Sequence, residues 1–418
     1  MLFSIHTDQH IIDAKGVFGY SHGYYKMLEH FPKYKHKGKK LELGINEKAS
    51  RVQMFYMEPE WYNLRSMTSF RAPDFRKFYN HQYKIYGTYL EATKVWSHWV
   101  DAMKQVDEIW VGNKFSAFAI ENSGIKTPTY VFQLGIDKIW QPYMRGKKNK
   151  IRFLHVDSGS PRKRVDMAIE AFIEVFGENP DVELTLKYHD NQGNIEFSVS
   201  ELFKKQYSNI NKIYKTLSQE EMYQLYKDHD VLLYPSEGEG FGLIPLQALA
   251  TGMPVISTSV WCDYEKYLHS NIIESKFGKT QHTGYFEGEV ILPNFESFKD
   301  QIRKVYEDID NQCKFFYDQA QAVIDEYDWQ KKCNYILDGL IDRIGAAALD
   351  PIDEYIIKRK YVYFLGNNAY VTSGGARFDK DNRVHIVTED EARGLLFNGN
   401  FRYATEQEID NANFPTFP

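Results

Sequence analysis

One stretch limits the fold of this chain more than any other. Val231 to Ile256 reads VLLYPSEGEGFGLIPLQALATGMPVI. The apolar run Val231-Leu232-Leu233-Tyr234 stops at Pro235, the mark of a short buried strand. A loop follows that holds Glu237, Gly238, Glu239, Gly240 and Gly242. Helical spacing then begins near Leu243, with Leu246, Leu249 and Ala250 at its apolar positions. Gly252 ends it, and Pro254-Val255-Ile256 opens another strand. Strand, acidic glycine-rich loop, helix and strand make one unit of a parallel α/β sheet, in which ligands gather at the carboxyl ends of strands. Glycine lets a backbone approach a ligand closely, and a helix start offers free N–H groups to an anion. The loop points to a polar ligand, phosphorylated or rich in hydroxyls.

The same alternation recurs on both sides. In residues 1–145 the glycines Gly16 and Gly19 precede an amphipathic helix through Leu28. Val52–Met57, Asp107–Gly112 and Tyr130–Phe132 read as strands. The polar, basic run 141–150 (QPYMRGKKNK) reads as a linker. A second α/β series over 150–334 then opens with the strand Ile151–Val156, the helix Asp166–Phe176 and the strand Val182–Tyr188. Ser218 with Glu221 forms a capping box. Helical pattern continues over 313–345. Residues 361–418 form a small α+β appendage, with a strand at Val384–Val387 and capping boxes at Thr388/Glu391 and Thr405/Glu408. Strands alternating with helices predict a doubly wound parallel sheet in each half.

At 418 residues the chain suits two domains plus an appendage. A net charge of −6 argues against a general nucleic-acid binder. The basic run Lys33–Lys40 reads first as a solvated turn and second as a binding patch. Three cysteines, Cys262, Cys313 and Cys333, lack metal-type spacing and read as reduced thiols of a cytosolic protein. The opening MLFSIHTDQH has no basic segment followed by an apolar one, so no signal peptide is expected, and no apolar run is long enough to span a membrane.

The loop Glu239-Gly240-Phe241-Gly242-Leu243, with Gly252, Pro254, Val255 and Ile256 after it, resembles the donor-sugar loop of retaining family-4 glycosyltransferases of the GT-B fold. Gln247 stands where that pattern has a second glutamate. The run Gly159-Ser160-Pro161-Arg162-Lys163-Arg164-Val165-Asp166 resembles the same family's diphosphate-binding turn, with Ser158 where an arginine is usual. A third match runs from Tyr89 to Asp137. It takes in Glu91, Trp99, Asp107, Glu108, Trp110, Phe115, Gly135 and Asp137, with Trp96 in place of proline and Asn113 in place of serine. The resemblance covers about 1–345.

The resemblance implies two facing Rossmann-like domains, an acceptor domain over 1–145 and a nucleotide-sugar domain over 150–334, with a terminal helix crossing back near 335–360. It implies transfer of a sugar from a nucleotide-diphosphate sugar with retained configuration. Lys163 and Arg162 would steady the departing diphosphate, Glu239 the sugar, and Glu91 an acceptor hydroxyl. Gly16, Gly19, Ser158, Leu217, Gly240, Phe241, Gly242, Leu243 and Gln247 would line the donor. Cations of the chain do this work, so no metal or cofactor is expected. Asp308-Ile309-Asp310 reads as a solvated helical pair, and His6–His10 is metal-like by composition only. The acceptor is a glycan, a lipid-linked or protein hydroxyl, or a hydroxymethylated base of phage DNA. The last would draw on Lys33–Lys40 with Arg71 and Arg76, in a host cytoplasm. A non-catalytic sugar-binding protein is the alternative, prompted by Gln247 and Ser158. A phosphorylase would need a pyridoxal lysine motif that is absent.

Overall fold

A computed structural model describes residues 2–7, 12–14, 19–45, 52–56, 83–157, 160–188, 205–280, 287–345 and 359–366, with shorter stretches between 370 and 408. Its chain contacts divide it into two compact units. The first is Met1–Thr88, His98–Trp110 and Cys333–Pro418, and the second is Tyr89–Ser97 and Val111–Lys332.

In the first unit, β1 (Leu2–His6) is followed by helix α1 (Gly19–His30), β2 (Glu42–Ile45), β3 (Val52–Tyr56), β4 (Tyr83–Thr88) and β5 (Glu108–Val111). They lie in the order β2-β1-β3-β4-β5, with β1 parallel to β2 and β3, and β3 parallel to β4. Phe3, Phe31 and Trp110 meet in its core, Phe3 edge-on to Phe31 at 5.5 Å. The basic run 33–40 closes a tight two-stranded hairpin, Lys35–His36 against Lys39–Lys40, with Lys37 and Gly38 both left-handed. His6 is buried and bonded to Gln53. Arg71, Arg76 and His10 lie outside the described residues, as does Gly16.

The second unit begins with helix α2 (Lys114–Asn122) and β6 (Thr129–Val131). Then come β7 (Ile151–Val156), α3 (Val165–Phe176), β8 (Val182–Tyr188), β9 (Ile210–Tyr214), α4 (Gln219–Asp228), β10 (Val231–Tyr234), α5 (Leu243–Ala250) and β11 (Val255–Ser257). The parallel sheet runs β9-β8-β7-β10-β11. A core of Phe153, Ile169, Phe172, Leu184, Leu186, Val231 and Leu233, among others, fills the space under α3. The hairpin β12 (Ser275–Gly278) and β13 (Val290–Pro293) precedes three helices, α6 (Phe295–Glu307), α7 (Ile309–Glu326) and α8 (Trp329–Ile344).

Helix α8 starts in the second unit and passes into the first at Cys333. There Asp338 accepts from Tyr34 Oη at 2.7 Å and Arg343 donates to Glu108 at 2.8 and 3.0 Å. Helix α8 overlaps the segment expected at 335–360 over residues 335–344, and residues 346–358 lie outside the described residues. In the appendage β14 (Arg359–Phe364) pairs antiparallel with β15 (Val384–Thr388) and β16 (Phe401–Tyr403) over Val362, Phe364, Phe378 and Phe401. Thr405 and Glu408 cap each other as the sequence predicts, whereas Glu391 lies outside the described residues. Among the described residues no helix is long and apolar enough to cross a membrane.

The polar run 141–150 is anchored to the second unit. Arg145 is buried and donates to the carbonyls of His229 (2.8 Å), Tyr226 (2.8 Å) and Thr251 (3.0 Å). A guanidinium answering carbonyls that finish two helices, α4 and α5, explains why so polar a stretch packs. Arg145→Met keeps the stem and strands those carbonyls. It should cost about 3 kcal/mol in urea unfolding.

Candidate functional site

The strand order of the second unit reverses direction between β7 and β10, which pair in parallel through Val231–Phe153 and Leu232–Leu154. Chains leaving the carboxyl ends of two such strands diverge, and the crevice they leave is where doubly wound sheets take ligands. Both motifs of the sequence sit there, with 160–164 after β7 and 235–242 after β10.

The first turn is shaped by Arg164. Pro161–Lys163 makes one 3-10 turn, and Arg164 then adopts a left-handed conformation (φ 54°) before α3 starts at Val165. That geometry costs a non-glycine residue about 1–2 kcal/mol. The guanidinium of Arg164 holds it by donating to Asp166 at 3.1 Å and to Glu237 Oε1 at 3.1 Å. Arg162 and Lys163 thus precede α3 and do not lie in its first turn. The first turn carries Asp166, which suits the helix dipole. Two cations gathered on the 3-10 turn call for an anion beside them.

The anion is supplied by the chain. Glu239 and Lys163 are each 5% exposed. One carboxylate oxygen, Glu239 Oε1, accepts from Arg162 Nη1 (2.7 Å), Ser236 Oγ (2.6 Å), Tyr234 Oη (2.9 Å) and Lys163 Nζ. Lys163 also donates to Tyr234 Oη and lies 4.9 Å from the centre of its ring. The other amino group of Arg162 pairs with Glu91 Oε1. Arg162 Nη1 further donates to Gly238 O at 2.7 Å, and its backbone carbonyl accepts from Glu237 N at 2.8 Å. The four residues singled out for catalysis, Lys163, Glu239, Arg162 and Glu91, form one cluster of two cations and two carboxylates.

Burial alone would push the Glu239 carboxyl up, but Arg162 and Lys163 overcome it and hold it at about 2. Burial and the neighbouring Arg162 push the Lys163 ammonium down, against the pull of Glu239. Arg162 is raised: burial opposes this, but Glu239 and Glu91 outweigh it, so it stays charged.

The glycines of the second turn serve the chain's own packing. A side-chain carbon at Gly238 would overlap the Glu91 carbonyl oxygen, and one at Gly240 would overlap the Tyr89 side chain. Gly242 is left-handed (φ 83°) where it caps α5, and Tyr264 Oη donates to its carbonyl at 2.5 Å. Phe241 turns into a cluster with Tyr264 and Tyr327. Leu243 opens α5, and Gln247 on the same helix lies 3.5 Å from Tyr226 Oη. Leu217 is half-buried just before the capping box of α4. Ser158 lies outside the described residues, and Gly19 begins α1 in the first unit. Asp308-Ile309-Asp310 falls at the junction of α6 and α7, with Asp310 ion-paired to Lys147 at 3.2 Å. Among the described residues no three His, Cys, Asp or Glu side chains come together as a metal site.

Local sequence does not mark Tyr234 and Ser236 as site residues, and shows Asn113 only as a replacement for serine. Tyr234 reads as one more apolar strand residue, although a tyrosine closing an otherwise aliphatic strand is a signal that its hydroxyl is used.

Residues 144–322 match the family model described as Glycosyl transferases group 1. The chain superposes on a glycosyltransferase from Rickettsia africae ESF-5 with TM-score 0.54 and 14% identity, over 82% of this chain and 98% of that one. It superposes on the E. coli trehalose-6-phosphate structure bound with UDP-2-fluoro glucose with TM-score 0.50 and 11% identity, over 70% and 73%. For TarM the values are 0.50 and 12%, over 70% of this chain and 55% of that one, so the match spans about half of TarM. No curated protein matches in sequence. The fold is GT-B, with a Rossmann-like parallel sheet in each unit.

The depressed Glu239 carboxyl has a sign that can be read. Its folded value, about 2, lies below its ordinary 4.5, so its stabilisation is fully present above about pH 4.5 and is lost as pH falls towards 2. Wild type should therefore exceed Glu239→Gln by about 3 kcal/mol at neutral pH, and the gap should close across that window in urea unfolding at stepped pH.

Proposed function

We propose that this chain is a retaining glycosyltransferase that moves a sugar from a nucleotide-diphosphate sugar to a hydroxyl acceptor. The observation that carries the reading is the convergence of Lys163 and Arg162 on Glu239 at the strand-order reversal, inside the segment matched by the Glycosyl transferases group 1 model. As the glycosidic bond breaks, negative charge grows on the diphosphate and positive charge on the ring. Lys163 and Arg162 meet the first. Glu239, bound to sugar hydroxyls, stands beside the second. Fixed donors aimed at such charge are worth roughly 3–4 kcal/mol each.

The two cations are balanced by Glu239 and Glu91, so a diphosphate must take over part of their coordination. Tyr234 and Ser236 remain on Glu239 when Lys163 turns to phosphate, which keeps the carboxylate placed. Glu91 is held by Arg162 and orients that guanidinium; a direct role on the acceptor hydroxyl would require it to leave this pair. These side-chain cations supply the charge that a metal would otherwise bring. The acceptor stays open between a glycan, a lipid-linked or protein hydroxyl, and a hydroxymethylated DNA base.

A second reading, a binding protein without turnover, is favoured by Gln247, whose amide replaces a carboxylate and meets Tyr226. A labelled donor separates the two: binding with neither transfer nor hydrolysis supports this second reading. Under the first, Lys163→Ala should lower transfer roughly a hundred- to a thousandfold while near-ultraviolet circular dichroism stays native. Wild-type turnover by that variant would remove the assignment. A thermal-shift screen of uridine, guanosine and adenosine diphosphates identifies the nucleotide, since ligand at ten times its Kd stabilises by about 1.4 kcal/mol.

A further inference from the structure

We propose that Asn113 is a positioning residue that sets the distance between Glu239 and Glu91, and through them the pose of Arg162. The inference deepens the reading above and rests on it for its kinetic arm only.

Asn113 is fully buried. It caps α2, its Oδ1 accepting from Ser116 N at 2.7 Å. Serine, threonine or aspartate would cap as well, and none of them carries an amide NH2. Asn113 Nδ2 donates to Glu239 O at 3.0 Å and to Trp261 O at 2.8 Å, so both amide hydrogens are engaged. The first of these carbonyls belongs to the residue whose side chain collects the two cations. The second belongs to Trp261, whose indole Nε1 donates to Thr258 Oγ1 at 3.0 Å. Thr258 in turn donates to Ser236 O at 2.6 Å, inside the same turn.

The first turn of α2 holds the other carboxylate too. Ser116 Oγ donates to Leu90 O at 3.1 Å and accepts from Leu90 N at 3.2 Å, beside Glu91. The segment 89–91 lies directly on Gly238 and Gly240, with no room for a side chain at either glycine. One helix start therefore grips the backbone on both sides of Arg162. The serine usual at position 113 in the resembling family would cap α2 and leave the two carbonyls without these donors.

The test uses the full chain and the variants Asn113→Ser, Glu239→Ala and the double variant. Asn113→Ser keeps the cap and loses both carbonyl bonds. Its drop in urea midpoint should shrink by roughly half or more in the Glu239→Ala background, because residues sharing a network are non-additive. An equal drop in both backgrounds would show a role in packing alone and overturn the proposal. If Asn113→Ser fails to fold, Ser116→Ala tests the other arm, its cost falling in the Glu91→Ala background; an unchanged cost overturns it. In kinetics, Asn113→Ser should lower kcat/KM for the donor roughly ten- to a hundredfold with the acceptor KM unchanged. Unaltered donor kinetics in a variant that transfers sugar would overturn it. A wild-type chain that turns over no donor defeats the functional reading instead, and the unfolding cycle still decides the role of Asn113.

Discussion

A buried carboxylate shared by a buried lysine and a largely buried arginine is the constraint on which the second unit depends. Charges that leave water without partners cost several kcal/mol each, so Lys163 and Arg162 are tolerable only while Glu239 and Glu91 face them. The demand propagates outward. The turn after β10 must bring Glu239 to the turn after β7, Gly238 and Gly240 must let segment 89–91 lie against it, and Arg164 must accept a left-handed backbone. Each departure from ordinary geometry here serves that one set of ion pairs.

The same arrangement suits the chemistry proposed for it. A site that must stabilise charge as it develops benefits from donors already fixed before the ligand arrives. Tyr234, Ser236 and the backbone around Gly238 fix Glu239 independently of Lys163, so the lysine can change partner without the loop losing its shape. The strand-order reversal between β7 and β10 supplies the space, and the capped start of α2 supplies the rigidity.

Periodicity and punctuation made most elements of the second unit legible. Pro235, Gly242 and Gly252 bracket β10 and α5, and Ser218 with Glu221 announces α4. Lys163 and Glu239 were also legible, through the resemblance of their two turns to the motifs of a known family. Other features needed the structure, for physical reasons. The glycines of the acidic loop read as close approach to a ligand, and the structure adds that Glu91 and Tyr89 pack directly on Gly238 and Gly240. Residues 141–150 look like a tether because they are polar, yet buried Arg145 uses its polarity on backbone carbonyls. Asn113 looks like a minor replacement for serine, because a helix cap is all that local sequence can show.

The sequence by itself determined the alternation of strands and helices, the parallel sheets that follow from it, and the two charged turns, since each is written in short-range spacing and residue type. Only the tertiary structure decided which carboxylate answers which cation, that Glu91 joins Arg162, and that Asn113 ties α2 to Glu239. Those contacts join residues between 71 and 148 positions apart in the chain, and only the packed sheet brings them within hydrogen-bonding reach.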